Sequence, residues 1–281
     1  MHDPVRKAAR KVWRRNGVSE GLRAVPEETA LAITYNGGTY AVMMGTPQDY
    51  RDFAYGFSLS EGVVADIGEI ESFEAVEFDD GVELRMWLAS DKAESISARR
   101  RQIAGPTGCG LCGIDSITEA VKPAAVVGAG SSFTFGQIMA AMDALAPLQK
   151  VNIETRAVHA AAFWMPDQGI VALREDVGRH NALDKLAGAL AQAKVDAHRG
   201  VVLLTSRVSV EMVQKTAAIG APVMVSVSAP TALAIRMAEA AGITLAAIAR
   251  SDGFEVFTHP HRVVGDASGQ DNGHPRTHVV A

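Results

Sequence analysis

The 281-residue chain holds two cysteines, Cys109 and Cys112, inside Gly105-Pro106-Thr107-Gly108-Cys109-Gly110-Leu111-Cys112-Gly113. The glycines and the proline forbid regular structure there and leave both thiols on an accessible loop, a setting that a buried structural cysteine does not need. Ile114, Ile117, Thr118 and Val121 follow at helical spacing, which puts Cys112 near a helix N-terminus, where the dipole favours the thiolate. A thiolate can take a sulfane sulfur from a donor persulfide, hold it and pass it on. Cys109, with glycine on either side, suits the carrier role sterically; Cys112 suits resolution, relay or release by disulfide formation. A zinc half-site, a redox dithiol and two unreactive thiols fit the same motif. Zinc nucleobase deaminases place His-x-Glu ahead of Pro-Cys-x-x-Cys. Here His159 follows the cysteines and Ala161 stands two positions on, so the catalytic carboxylate is missing and a deaminase is disfavoured. His159 fits a hydrogen-bonded core or edge histidine equally well.

A second dense segment runs Glu175-Asp176-Val177-Gly178-Arg179-His180-Asn181-Ala182-Leu183-Asp184-Lys185, from a strand into a helix. Charges at such a turn cost stability unless they are paired or used. One reading is an ion-pair knot with an N-cap. The other puts Arg179 and His180 beside an anionic ligand, with Glu175 and Asp176 fixing the turn. Thr205-Ser206-Arg207-Val208-Ser209 and Ser226-Val227-Ser228-Ala229-Pro230-Thr231 also follow strands. Each alone fits ordinary Ser/Thr capping; together, Arg207, Ser228 and free helix N–H groups suit a phosphorylated ligand outside the strand ends.

These groups must be positioned by elements that the patterning outlines. Residues 1–24 carry dense charge without apolar periodicity and read as a mobile arm. Residues 25–150 read as an α+β lobe: a hairpin of Leu31 to Tyr35 and Thr39 to Met44, a helix capped at Thr46-Pro47, and a second hairpin of Phe73 to Phe78 and Val82 to Leu88. This lobe ends in the cysteine loop and a helix opened by a Thr134/Gln137 capping box. Residues 151–264 alternate strand and helix, as in an α/β core with largely parallel strands. Residues 265–281 are rich in Gly, Asn, Asp, His and Pro and read as disordered.

A net charge of −5 argues against a nucleic-acid binder held by a broad basic face. The basic start, with Arg14-Arg15, is followed by polar residues where a signal peptide needs an apolar run. No stretch approaches the roughly 18 apolar residues of a membrane span. A cytoplasmic location is expected.

The thiol motif, His159-Ala160-Ala161-Ala162 and the 175–185 segment stand in an order and spacing that resemble the FdhD family of formate dehydrogenase accessory sulfurtransferases. Ser206 to Lys215, Ser228-Ala229-Pro230-Thr231 and Phe257-Thr258-His259-Pro260-His261-Arg262 extend the resemblance over about residues 30 to 263. It implies a cytidine-deaminase-like mixed α/β core with a smaller N-terminal α+β lobe, and a homodimer. It implies transfer of sulfur from a cysteine desulfurase, through a persulfide on Cys109, to the molybdenum or tungsten bis(molybdopterin guanine dinucleotide) cofactor. That cofactor is bound as a substrate and destined for the catalytic subunit of formate dehydrogenase. The family's guanine-dinucleotide segment maps onto Ile248-Ala249-Arg250-Ser251-Asp252-Gly253. A cofactor-binding chaperone without obligatory sulfur chemistry is the main alternative, and a zinc-dependent hydrolase a third. Roles for His159 and His180, and the need for Cys112, stay open.

Overall fold

The computed structural model describes residues 3–89 and 122–266. Cys109, Cys112, the helix expected after them and all but the first two residues of the 265–281 tail lie outside the described residues.

The chain opens with strands β1 (Val5–Arg14) and β2 (Gly17–Pro26), then β3 (Thr29–Tyr35), β4 (Gly38–Gly45), helix α1 (Tyr50–Ser60), β5 (Ile70–Phe78) and β6 (Gly81–Leu88). After the undescribed segment come β7 (Phe133–Thr134), α2 (Phe135–Leu145), α3 (Lys150–Thr155), β8 (His159–Met165), β9 (Gly169–Asp176) and α4 (Arg179–Gln192). The rest is β10 (Val201–Leu204), α5 (Val210–Ile219), β11 (Val223–Ser226), α6 (Ala232–Ala241), β12 (Thr244–Arg250), β13 (Gly253–Val256) and β14 (Val263–Val264).

Strands β3 to β6 form a four-stranded sheet in the order β4-β3-β6-β5, in which both expected hairpins are present and β3 runs parallel to β6. Period-2 alternation turns Leu31, Ile33, Leu84 and Met86 onto Phe53 and Phe57 of α1. On its other side α1 meets α4 almost backbone to backbone. A Cβ on Gly56 would lie 1.7 Å from the Asp184 carbonyl oxygen, and one on Gly188 would lie 2.0 Å from that of Asp52. Glycine is what lets the two lobes approach this closely.

The core domain is a six-stranded sheet in the order β13-β12-β11-β10-β8-β9. Val202 and Leu204 face Leu183, Leu186 and Met212 of α4 and α5. Val201 and Leu203 face Ile138, Ala141 and Leu145 of α2. The capping box at Thr134 and Gln137 is formed, and α2 ends before Pro147 as its sequence requires.

Three expectations change. Residues 5–26, read largely as a mobile arm, form an antiparallel ribbon; both its faces meet water, so no apolar period marks it. Helix α1 begins at Tyr50 after Asp49, not at Pro47, because Thr46 is tied into the core domain. The six-stranded sheet is mixed: β10, β11 and β12 are parallel, but β8, β9 and β13 join antiparallel. Hydrophobic runs reveal burial on two faces, and strand direction leaves no mark in them. No helix among the described residues is long and apolar enough to cross a membrane.

Candidate functional site

One edge of the six-stranded sheet collects the candidate residues. Because β8 runs antiparallel to β10, its start lies beside the end of β10, with Ala161 opposite Leu204. The end of β9 lies there too, with Asp176 opposite His159. β11 and β12 run parallel to β10 and end at the same edge. The three turns after β9, β10 and β11 therefore share the edge where open α/β sheets take ligands.

Hydrogen bonds tie these turns together. Ser226 Oγ donates to the Ser206 carbonyl at 2.6 Å, and Ser228 N donates to Ser226 Oγ at 3.1 Å. Val208 N donates to the Ala229 carbonyl at 3.2 Å, and Thr231 N donates to that of Val208 at 2.9 Å. From β12, Ile248 N donates to the Ser228 carbonyl at 3.3 Å, and the Arg250 guanidinium donates to the Val227 carbonyl. Arg207, Ser228 and the 248–253 segment are thus neighbours; Arg207, Arg250, Ser251 and Asp252 are exposed. Ile248 sits at φ 54° where the register of β12 shifts. A β-branched residue in the left-handed region costs on the order of 1–3 kcal/mol, and such strain gathers at functional sites.

In the 175–185 segment both readings hold, for different residues. The Glu175 carboxylate accepts from the backbone N–H groups of Val151 and Asn152, each at 2.8 Å, at the start of α3. Asp176 accepts from Thr46 N at 2.9 Å, from Gly178 N at 2.8 Å and from Asn181 Nδ2 at 3.0 Å, and pairs with Lys185 at 2.7 Å. These groups fix the turn and join the lobes. Arg179 and His180 are left over. Arg179 Nε, His180 Nε2, Ser209 Oγ and Glu211 Oε2 are buried atoms with no hydrogen-bond partner among the described residues. A buried polar group left unpaired costs about 1–3 kcal/mol, and such a group calls for an explanation, a bound ligand or catalytic use among them.

His180 Nε2 lies 3.9 Å from Glu211 Oε2. The nearness of His180, and then of the Ser209 hydroxyl, holds the Glu211 carboxyl down at about 2, although at 3.9 Å the His180 contact is too long for a formed hydrogen bond. His159 is pulled below the ordinary histidine value, first by burial and then by Arg179, with His180 and Arg207 adding to the effect. Arg179 and Arg207 thus supply fixed positive charge at this edge, a field that suits an anion, with His159 and His180 beside them.

Sequence reasoning missed a second buried knot. Lys215 Nζ donates to both Asp184 oxygens at 2.9 and 3.0 Å, to Ser60 Oγ at 2.9 Å and to Glu61 at 3.0 Å. Burial pulls the ammonium down, but Asp184 and Glu61 outweigh it and hold Lys215 above its ordinary value. Only the structure reveals the need for this knot: residues 181–190 of α4 are buried throughout, so Asp184 requires a partner. Among the described residues no group of three His, Asp or Glu side chains is arranged to hold a metal ion.

Three kinds of comparison with known proteins, by family model, by sequence and by structure, each find matches. A model described as the FdhD/NarQ family matches residues 26–264. The sulfur carrier protein FdhD of Agrobacterium fabrum is 51% identical over 260 residues, covering 92% of this chain and 96% of the relative. That of Cupriavidus necator is 47% identical over 256 residues, covering 91% and 89%. A crystal structure described as a formate dehydrogenase accessory protein of Desulfotalea psychrophila superposes with a TM-score of 0.74 at 25% identity, covering 93% of this chain and 100% of that one.

Proposed function

The chain belongs to the FdhD/NarQ family, and on that premise we propose that it is a cytoplasmic, homodimeric sulfurtransferase that readies a molybdenum or tungsten cofactor for formate dehydrogenase. In this reading the Cys109 thiolate attacks the terminal sulfur of a cysteine desulfurase persulfide. A new S–S bond forms on Cys109 and the desulfurase leaves as its thiolate, with no net oxidation. Attack by Cys112 on the Cys109 sulfur then forms the Cys109–Cys112 disulfide and expels sulfide, two electrons passing to the transferred atom. The metal of the bis(molybdopterin guanine dinucleotide) substrate takes that sulfide, and a thiol reductant reopens the disulfide.

The observation that carries the cofactor half is the convergence of Arg207, Ser228 and residues 248–253 at one sheet edge, with Arg179 Nε buried and, among the described residues, unpaired. Guanidinium groups and free helix N–H groups suit the phosphates of a dinucleotide. Calling the core deaminase-like belongs to the same reading; the mixed six-stranded sheet with helices on both faces supports it.

The test is activation of a formate dehydrogenase catalytic subunit in cells that make this chain or its Cys109→Ala form. Loss of activity with unchanged cofactor binding supports transfer. Full activity with Cys109→Ala leaves the chaperone function, which the same phosphate-friendly edge serves.

A further inference from the structure

The β1–β2 ribbon carries chemistry that neither the sheet edge nor the thiol pair uses. Its register runs unbroken from Val5 opposite Pro26 to Arg14 opposite Gly17, so opposed residues share a face. One face holds Trp13 opposite Val18, Ala9 opposite Leu22, Lys11 opposite Glu20 and Lys7 opposite Ala24. The other holds Arg6, Arg10, Arg14 and Arg23. Trp13 is 76% and Leu22 63% exposed. A two-stranded ribbon wetted on both faces is marginally stable in water, and each large apolar side chain left out forgoes about 1.5–3 kcal/mol of burial. Near its base Arg23 donates to the Thr155 carbonyl at 3.3 Å. At about 3.3 Å per residue the ribbon extends ~30 Å, enough to lie across a neighbouring domain.

Residues 5–26 hold seven Lys and Arg against one Glu, a charge of +6 on a chain of −5, which leaves −11 for the remainder. The outer face of the four-stranded sheet is complementary, apolar and acidic apart from Arg85, which pairs with Glu83 and Glu74. Register places Met44 beside Ala30 and Val42 beside Ala32, and Ala32 beside Glu83. Val42 is 59% and Met44 49% exposed, and exposed Glu71, Glu74, Asp79 and Asp80 line the β5 side.

We infer that the ribbon of one copy docks on the outer face of the four-stranded sheet of a second copy, Trp13 and Leu22 against Val42 and Met44. Lys7 of the same ribbon face meets the acids of the β5 side, Lys11 being paired with Glu20 of its own ribbon at 3.2 Å, and the arginine face adds long-range attraction. Each copy gives one ribbon and receives one, a two-fold exchange that closes at the dimer. The inference rests on the homodimer of the proposed function and names the surface that makes it.

Sedimentation velocity on the full chain, on Trp13→Ser/Leu22→Ser and on Met44→Asp reads the dimer directly. Both variants should dissociate at least about tenfold more readily than the parent, as loss of a central aromatic anchor does. A photo-crosslinker in place of Trp13, in a mixture of isotope-labelled and unlabelled chains, should join the two labels through peptides of residues 38–45 or 70–88. A monomeric parent, a dimer indifferent to both variants, or crosslinks confined to one chain would overturn the inference. Sulfur loading of Cys109, followed on the same samples, separates the two ideas. Loading with a ribbon-independent dimer defeats the docking alone, and a ribbon-dependent dimer that never loads defeats sulfur transfer alone.

Discussion

Lys185 Nζ lies 2.7 Å from Asp176 Oδ2, and both side chains are wholly buried. The pair sits where α4 leaves β9, and Lys185 also donates to the Thr46 carbonyl at 2.9 Å. It therefore sets the turn that presents Arg179 and His180 and ties the first lobe to it. Lys185→Ala strands a buried carboxylate and should cost about 3–5 kcal/mol in denaturant unfolding. A loss below about 1 kcal/mol would mean that the pair does not organise the turn.

Gly56→Ala drives a methyl into the Asp184 carbonyl, 1.7 Å from the ideal Cβ position. Backbone cannot yield as a flexible side chain does, so α1 must shift from α4 at a cost of about 1–3 kcal/mol or more. Thermal unfolding should show a clear fall in midpoint.

Glu211 supplies a pH signature. Its carboxyl is held at about 2 against a reference of 4.5, a depressed acid, so its contribution to stability is complete above 4.5. It is lost as pH falls from there toward 2. In Glu211→Gln the midpoint measured by chemical denaturation should decline less steeply across that window than in the parent. Parallel declines would show that His180 and Ser209 do not stabilise the carboxylate.

Arg250→Ala and Arg207→Ala should each weaken binding of guanosine diphosphate by about ten- to a hundredfold, the worth of a charge-assisted hydrogen bond. Calorimetry reads the affinity, and unchanged melting separates this from misfolding. The same nucleotide should raise the depressed His159 value, because an anion offsets the repulsion from Arg179, His180 and Arg207. A histidine NMR titration with no shift would remove His159 from the site.

Much of this layout was readable in the residues. Val201 to Leu204 is the strand expected, and Ser209 and Thr231 precede helices as expected. The convergence of the turns after β9, β10 and β11 followed from strand-helix alternation alone. What escaped were long-range pairings. Thr46 looked like a helix cap because Pro47 follows it, yet its backbone and hydroxyl bond Asp176 and Val177. Lys215 gave no sign of Ser60 and Asp184, which are distant in sequence and meet only when α1 packs on α4. The ribbon escaped because a strand wetted on both faces has no alternation to detect. Cys109 and Cys112, the clearest chemical signal in the sequence, lie outside the described residues, so the case for them stands on motif and family.

The most direct measurement is the intact and peptide mass of this chain after incubation with a cysteine desulfurase and cysteine, with Cys109→Ala and Cys112→Ala alongside. Sulfur transfer through Cys109 requires one added sulfur on the Cys109 peptide, absent in Cys109→Ala and removed by reductant. An unmodified Cys109 peptide from a desulfurase shown to carry its own persulfide would contradict it.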